Sequence, residues 1–417
     1  MRAKPTIMSL AAAVMLSGVL AAYWIGPAHA SRPTSKPFLN LPAGRTFPAL
    51  LSQTGAFTDT RTLQPAQELI PYEINYSFWS DGALKKRWMA LPVGHIHPSP
   101  TGEWDFPVGT VFVKHFERNN DQPLRIETRL LVHDGMGVYG ASYRWRSDQS
   151  DAELVREPQR DQWYFPGPDD CVKCHTCIAG GVLGVNTRQI NRTDAQGVNQ
   201  LRHWQRLELF DTDLGDPKEL PRLAGCDSDR VEDRARSMLD VNCGYCHRPG
   251  GAETDFDARY DTPLPQQKLV SAPARINLGL DHARLIAPND PWRSLMLVRM
   301  ETLEGTKMPP LGHENLDRES AKLLREWICS MPGPPVVAPP IFAVRSCEFR
   351  GSLNVTLTHP DKAAVLRLTL DGSAPNDDSQ LYQGPLRVED SKTIRARAFK
   401  PGHTRSIVVQ ETYVKEQ

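Results

Sequence analysis

The pentapeptide Cys171-Val172-Lys173-Cys174-His175 and its second copy, Cys243-Gly244-Tyr245-Cys246-His247, constrain this chain more than any other feature. Two thiols three positions apart can form thioethers with the two vinyl groups of one haem, and the histidine that follows directly is held under the iron as an axial ligand. With 8 Cys and 12 His in 417 residues, on the order of 0.004 such pentapeptides arise by chance. Paired Cys-x-x-Cys knuckles also hold structural zinc, but those pairs usually stand about 15 to 20 residues apart. Here 68 residues separate Cys174 from Cys243. The spacing points to two covalently bound haem c groups. Cys171, Cys174, Cys243 and Cys246 would attach them, and His175 and His247 would ligate the two irons.

The compartment follows from the beginning of the chain. Arg2 and Lys4 precede a run of apolar and small residues from Ile7 to Ile25, followed by Ala28-His29-Ala30. That is the three-part layout of a secretory signal peptide. Cleavage after Ala30 is expected, with the mature chain soluble in the periplasm. An uncleaved anchor is the alternative, because the run nearly reaches the length that spans a bilayer. Lys plus Arg and Asp plus Glu balance at 49 each, so no excess charge calls for nucleic acid or an acidic membrane surface. The remaining thiols, Cys177, Cys226, Cys329 and Cys347, are even in number in an oxidising compartment. Cys329 with Cys347, on either side of the Pro-rich stretch 332–340, is the preferred bridge. Cys177 with Cys226 would be the other, with Cys177 alternatively a reactive thiol; spacing alone does not set connectivity.

Residues 109–118, 125–133 and 137–146 alternate with period two and read as consecutive strands. Ile126, Thr128, Leu130 and Val132 face one way, Arg125, Glu127 and Arg129 the other, and Asn119-Asn120-Asp121 and Asp134-Gly135 supply turns. An antiparallel β domain is expected from about 40 to 165, and a first haem-binding segment from 166 to 225. In that segment Pro166-Gly167-Pro168-Asp169-Asp170 leads into the first pentapeptide. The glycines of Gly180-Gly181-Val182-Leu183-Gly184 either let the backbone pass close to a flat cofactor or serve simply as turns. A helix over 229–241, with Val231, Ala235, Met238, Leu239 and Val241 on one face and Ser228 as N-cap, would deliver Cys243. A second helix, over 317–331, carries Ala321, Leu324, Ile328 and Met331 as one stripe.

On these stretches residues 226–335 resemble a class I cytochrome c domain. Residues from about 47 to 335 are similar to a family of exported bacterial proteins with a β region and two Cys-x-x-Cys-His sites. The likeness rests on Trp79-Ser80-Asp81-Gly82-Ala83, Phe106-Pro107-Val108-Gly109-Thr110, Arg125-Ile126-Glu127-Thr128-Arg129, Asp240-Val241-Asn242-Cys243 and Arg284-Leu285-Ile286-Ala287-Pro288. It implies haem, export and, for some members, association with periplasmic dehydrogenases; it hands over no catalytic residues, and Cys177 departs from its pattern. Residues from about 341 to 413 resemble the β-sandwich module at the C-terminus of chitobiase and β-hexosaminidase enzymes. Leu370-Asp371-Gly372-Ser373-Ala374-Pro375, Tyr382-Gln383-Gly384-Pro385 and Thr393-Ile394-Arg395-Ala396-Arg397-Ala398 carry that match. Sugar hydrolysis is not implied, since no paired-carboxylate site stands out. The fold class expected is therefore multidomain α+β: an N-terminal antiparallel β domain, an α-helical cytochrome c-like domain holding the second haem, and a C-terminal β-sandwich over 341–417.

Met308, in Lys307-Met308-Pro309-Pro310, is the expected sixth ligand of the second haem iron. Its neutral, soft thioether favours ferrous iron and raises the reduction potential, and the two prolines hold the loop extended. It follows His247 by 61 residues and precedes the final helix, as in the small cytochromes resembled here. Met296 and Met300 are its rivals. For the first haem, His115, His133, Met136 and His203 are candidates without a winner. The expected function is electron relay in the periplasm between a donor dehydrogenase and an acceptor, with a dehydrogenase or another cytochrome as redox partner. The alternative is a haem-dependent oxidoreductase, peroxidase-like, with an open position on the first haem. A third reading makes the chain a secreted binding module stapled by haem. The sixth ligand of the first haem separates the first two.

Overall fold

The computed structural model describes residues 32–118, 123–225, 228, 230–252 and 255–416. The signal peptide at 1–30, the Asn119-Asn120-Asp121 turn and Cys226 lie outside these residues. The largest element is a six-stranded antiparallel sheet whose strands lie in chain order: β1 (Leu69–Pro71), β2 (Leu84–Ala90), β3 (Val111–Arg118), β4 (Leu124–Asp134), β5 (Gly137–Trp145) and β6 (Ala152–Leu154). From β3 onward the connections are short, as antiparallel neighbours allow, while longer segments, 72–83 and 91–110, join β1 to β2 and β2 to β3.

Both faces of the sheet are covered. Val111, Val113, Leu130, Val132 and Tyr143 pack on a core that includes Leu51, Phe57 and Trp88. From the other face Met89, Phe112 and Leu131 meet Val182, Val185, Ile190, Leu201 and Trp204, which belong to the segment after the first pentapeptide. Each such aliphatic or aromatic side chain contributes about 1.5–3 kcal/mol by leaving water. The face of β4 that alternation makes polar is thus an internal surface. Glu127 is fully buried; Arg129 Nε and Nη2 donate to its two oxygens at 2.9 and 2.8 Å, and Trp163 Nε1 donates at 2.9 Å.

Among the described residues seven short helices follow the sheet: α1 (Pro168–Cys174), α2 (Thr187–Ile190), α3 (Gln200–Arg206), α4 (Val231–Asn242), α5 (Leu264–Gln267), α6 (Leu295–Met300) and α7 (Arg318–Ser330). The expected helices before Cys243 and near the end of that region form as α4 and α7, although the N-cap of α4 is Arg230 rather than Ser228. An α-helical cytochrome c-like domain over 226–335, and with it the α+β fold class, is corrected by the structure. Among the described residues β structure outweighs helix, 26% against 16%, and the four short helices described in that region are joined by long irregular segments. The physical reason is composition between α4 and α7. Pro249, Gly250, Gly251, Pro263, Pro265, Pro273, Gly279, Pro288 and Pro291 remove backbone donors and cost helix stability, leaving no room for a long third helix. What remains is a local core of Met238, Leu239, Ile286, Leu297, Leu324 and Trp327.

The C-terminal β-sandwich is as expected. Its five-stranded sheet runs in the order β7 (Cys347–Phe349), β11 (Val409–Lys415), β10 (Lys392–Phe399), β8 (Val365–Thr369), β9 (Gln380–Leu381), with only the β7–β11 pair parallel. A two-stranded pair, Leu353–Val355 with Leu386–Val388, faces the same core of Val355, Leu368, Val388, Ile394 and Tyr413. The Pro-rich stretch before it is tied down: Val337 N–H donates to the Thr404 carbonyl at 3.0 Å and Thr404 N–H to Pro335 at 2.8 Å. The expected Cys329–Cys347 bridge is not formed, since both thiols are free and exposed. Among the described residues no helix is long and apolar enough to cross a membrane.

Candidate functional site

Helix α1 presents the first pentapeptide. Pro168 opens it, where a missing N–H costs nothing, and Asp169 and Asp170 in its first turn complement the positive end of the helix dipole. Cys171 sits against the sheet over Gly140, where a Cβ would meet the Cys171 sulfur at 3.1 Å and the Leu130 carbonyl at 2.9 Å. His175 follows the helix end, with Nδ1 2.7 Å from the Gly181 carbonyl. A carbonyl can only accept, so Nδ1 carries the hydrogen and Nε2 keeps its lone pair. Gly180 and Gly181, both at φ 72°, turn the chain so that this carbonyl reaches the ring. Burial pushes the imidazole down to about 4, so it is neutral, the form that ligates iron. Burial also pushes the Cys171 thiol up to about 11 and raises that of Cys174. These are protonated thiols, not the low-pKa thiolates of a reactive cysteine.

Cys171, Cys174 and His175 line one cavity. Its floor is the sheet, with Phe112, Lys114 and Arg129, and its far wall includes Tyr245 of the second pentapeptide.

That pentapeptide begins where α4 ends: Cys243 N–H donates to Leu239 O and His247 N–H to Cys243 O, both at 2.8 Å. Cys243 and His247 line a second, mainly apolar cavity together with Met296, Met300, Met308 and His313. The His247 ring stacks on Phe256, centroids 4.5 Å apart at 17°, and burial lowers its pKa; burial pushes the Cys243 thiol up to about 12. His313 is 1% exposed with neither ring nitrogen in hydrogen-bond geometry; burial and then the Lys307 charge lower its pKa, against weaker pulls from Asp81, the Pro309 carbonyl and Asp317.

The two pentapeptides, far apart in sequence, are side by side in space. Cys246 Sγ lies 4.0 Å from the Lys173 carbonyl, and the Tyr245 hydroxyl hydrogen-bonds Cys174, its ring packing edge-on to Phe78 at 5.7 Å. A buried ion network fastens them. Arg248 donates to Glu103 at 3.1 Å and to the Ile178 carbonyl at 3.2 Å, while Arg188 pairs with Asp240 at 3.0 Å and Asp261 at 3.2 Å.

Among the candidates for the first site, none of His115, His133, Met136 and His203 lines its cavity. His115 is buried on the opposite face of the sheet, with Nδ1 2.7 Å from Thr128 Oγ1 and Nε2 3.3 Å from Glu117. Lys114, one position earlier, takes the cavity place. Sequence reasoning missed it, together with Tyr245 and His313; for Lys114 the available signal was strand alternation, which sends adjacent residues to opposite faces. Among curated proteins none matches the chain. Residues 345–410 match the family model of the chitobiase/β-hexosaminidase C-terminal domain, so the chain ends in a module of that family.

Proposed function

We propose that this chain is an exported carrier of two covalently attached haem c groups. It relays electrons in the periplasm between a donor dehydrogenase and an acceptor such as another cytochrome. The observation that carries this reading is the adjacency of the two Cys-x-x-Cys-His segments, which a relay needs and two unrelated sites do not. The state of His175 supports it: a proximal ligand donates one ring N–H to a backbone carbonyl and keeps the other nitrogen bare, as here toward Gly181. Zinc is disfavoured, because among the described residues no three Cys, His, Asp or Glu side chains converge to hold an ion.

Each haem, when bound, supplies a one-electron iron couple. The protein's residues do the rest. Cys171 and Cys174, and Cys243 and Cys246, anchor the groups; Gly181 orients His175; Phe256 fixes the plane of His247; and Met308 offers a thioether in the second cavity. Tyr245 and Phe78 pack edge to face beside Cys174.

Haem staining after denaturing electrophoresis tests the assignment. Cys174→Ala and Cys246→Ala should each lose stable attachment at one site, and the double variant should lose most or all stain. Full stain in the double variant would refute attachment at these residues.

A further inference from the structure

The internal face of the first sheet carries an arrangement that relay alone does not use. Arg87 on β2, Lys114 on β3 and Arg129 on β4 are directly opposite neighbours in the register, so their side chains leave the same face about 5 Å apart at Cβ. Like charges so placed are destabilising, and all three line the cavity that holds Cys171, Cys174 and His175. Two have carboxylate partners. Arg129 clamps Glu127, and Arg87 stands 3.9 Å from Glu73 and donates to Ser77 Oγ at 3.1 Å. Lys114 has aromatic rings instead: its Nζ lies 5.7 Å from the centre of Phe78 and 5.2 Å from that of Phe116. Among the described residues no carboxylate lies within salt-bridge distance of it.

The acidic groups around the cavity are engaged elsewhere. Glu103 is held by Arg188 and Arg248, Asp170 by Lys173, and Asp240 by Arg188, while Asp81 accepts from the backbone N–H groups of Glu314 and Asn315. A buried cation costs free energy unless it is paired, and burial together with Arg87, Lys85 and Arg129 drives the Lys114 pKa well down. An anion at this place would offset both the desolvation and the cross-strand repulsion.

We propose that the Arg87–Lys114–Arg129 row is a carboxylate-binding site, with Lys114 the residue that pairs directly with the ligand. The carboxylate has two possible sources: the propionates of a haem held at Cys171 and Cys174, which rests on the function proposed above, or a free small dicarboxylate entering the cavity.

The experiment uses the full-length protein purified from the periplasm, with Lys114→Met and Lys114→Arg variants and succinate as probe. If propionates occupy the row, succinate leaves the thermal midpoint of the wild type unchanged; the first haem's reduction potential then falls in Lys114→Met and is retained in Lys114→Arg. If the row takes a free dicarboxylate, succinate raises the wild-type midpoint saturably. Its affinity then drops at least about tenfold in Lys114→Met, as expected for losing a charge-assisted hydrogen bond, and is kept in Lys114→Arg. Arg87→Gln carries the same expectations should Lys114→Met fail to accumulate. A Lys114→Met protein with unchanged potential and no loss of succinate response overturns the proposal. Absence of haem stain at the first pentapeptide would instead defeat the haem reading. The succinate titration then decides the row by itself, and no response there overturns it.

Discussion

At the scale of single residues, the second cavity holds more ligand chemistry than the one iron of the proposed function would need. Met308 and His313 both line it with His247, and His313 is buried with its ring nitrogens unpaired. A thioether stabilises ferrous iron relative to imidazole. If the proposed second haem is bound there, Met308→Ala should abolish the long-wavelength methionine-to-iron absorption band and lower that haem's potential by on the order of a hundred millivolts. Because His313 stands in the same cavity, carbon monoxide should bind readily only when both are removed, in Met308→Ala/His313→Ala. Optical titration and redox potentiometry read both outcomes. A band that survives Met308→Ala would move the assignment to Met300.

At the scale of elements, the first sheet uses alternate residues of β3 for opposite purposes. His115 and Glu117 face away from the cavity of Cys171 and His175 and build a buried polar cluster: His115 meets Thr128, Trp145 Nε1 donates to the Thr128 hydroxyl at 3.0 Å, and Lys86 pairs with Glu117 at 2.9 Å. Burial raises the Glu117 pKa, but the His115 ring 3.3 Å away and the Lys86 ammonium at 2.9 Å together outweigh it and bring it to about 2, below its ordinary 4.5. A carboxylate depressed in the folded state stabilises the fold fully above its unfolded pKa and loses that contribution as the pH falls through the folded one. The Glu117 contribution should accordingly be present above about pH 4.5 and fade toward about pH 2. Urea unfolding across this range should show wild type and Glu117→Gln converging as the pH drops. A constant gap would mean that the ion cluster does not supply this stability.

At the scale of the whole molecule, the C-terminal module is attached through charge. Asp281 lies between two arginines, Arg293 at 3.1 Å and Arg397 of β10, while Arg293 also donates to the carbonyls of Arg405 and Ser406 at 3.2 and 3.1 Å. Strand alternation explains the reach of Arg397, since Ile394, Ala396 and Ala398 fill the sandwich core and leave the arginine on the other face. Removing the shared carboxylate takes the carboxylate from the buried Arg397 guanidinium, while Arg293 keeps Asp290 at 2.9 Å. Asp281→Ala should destabilise the junction by about 1–3 kcal/mol, seen as faster limited proteolysis within 332–340 and a separate unfolding transition for the module. Unchanged proteolysis would show that the backbone hydrogen bonds at Thr404 hold the module without the ions.

What the sequence determined by itself was local. Cys-x-x-Cys-His spacing, the period-two strands over β3 to β5, helices α4 and α7 and the C-terminal sandwich all depend on residues within a few positions of one another. The error at 226–335 was one of extent, because two helices with good periodicity suggested a helical domain while the prolines and glycines between them forbade it. Only the tertiary structure decided that the two pentapeptides meet, that the polar face of β4 is interior, and that Lys114 rather than His115 faces the cavity. Those facts depend on which segment covers which face of the sheet. That choice is made by apolar side chains from Val182 to Trp204 packing onto Met89, Phe112 and Leu131 of strands far earlier in the chain, contacts that no local pattern encodes.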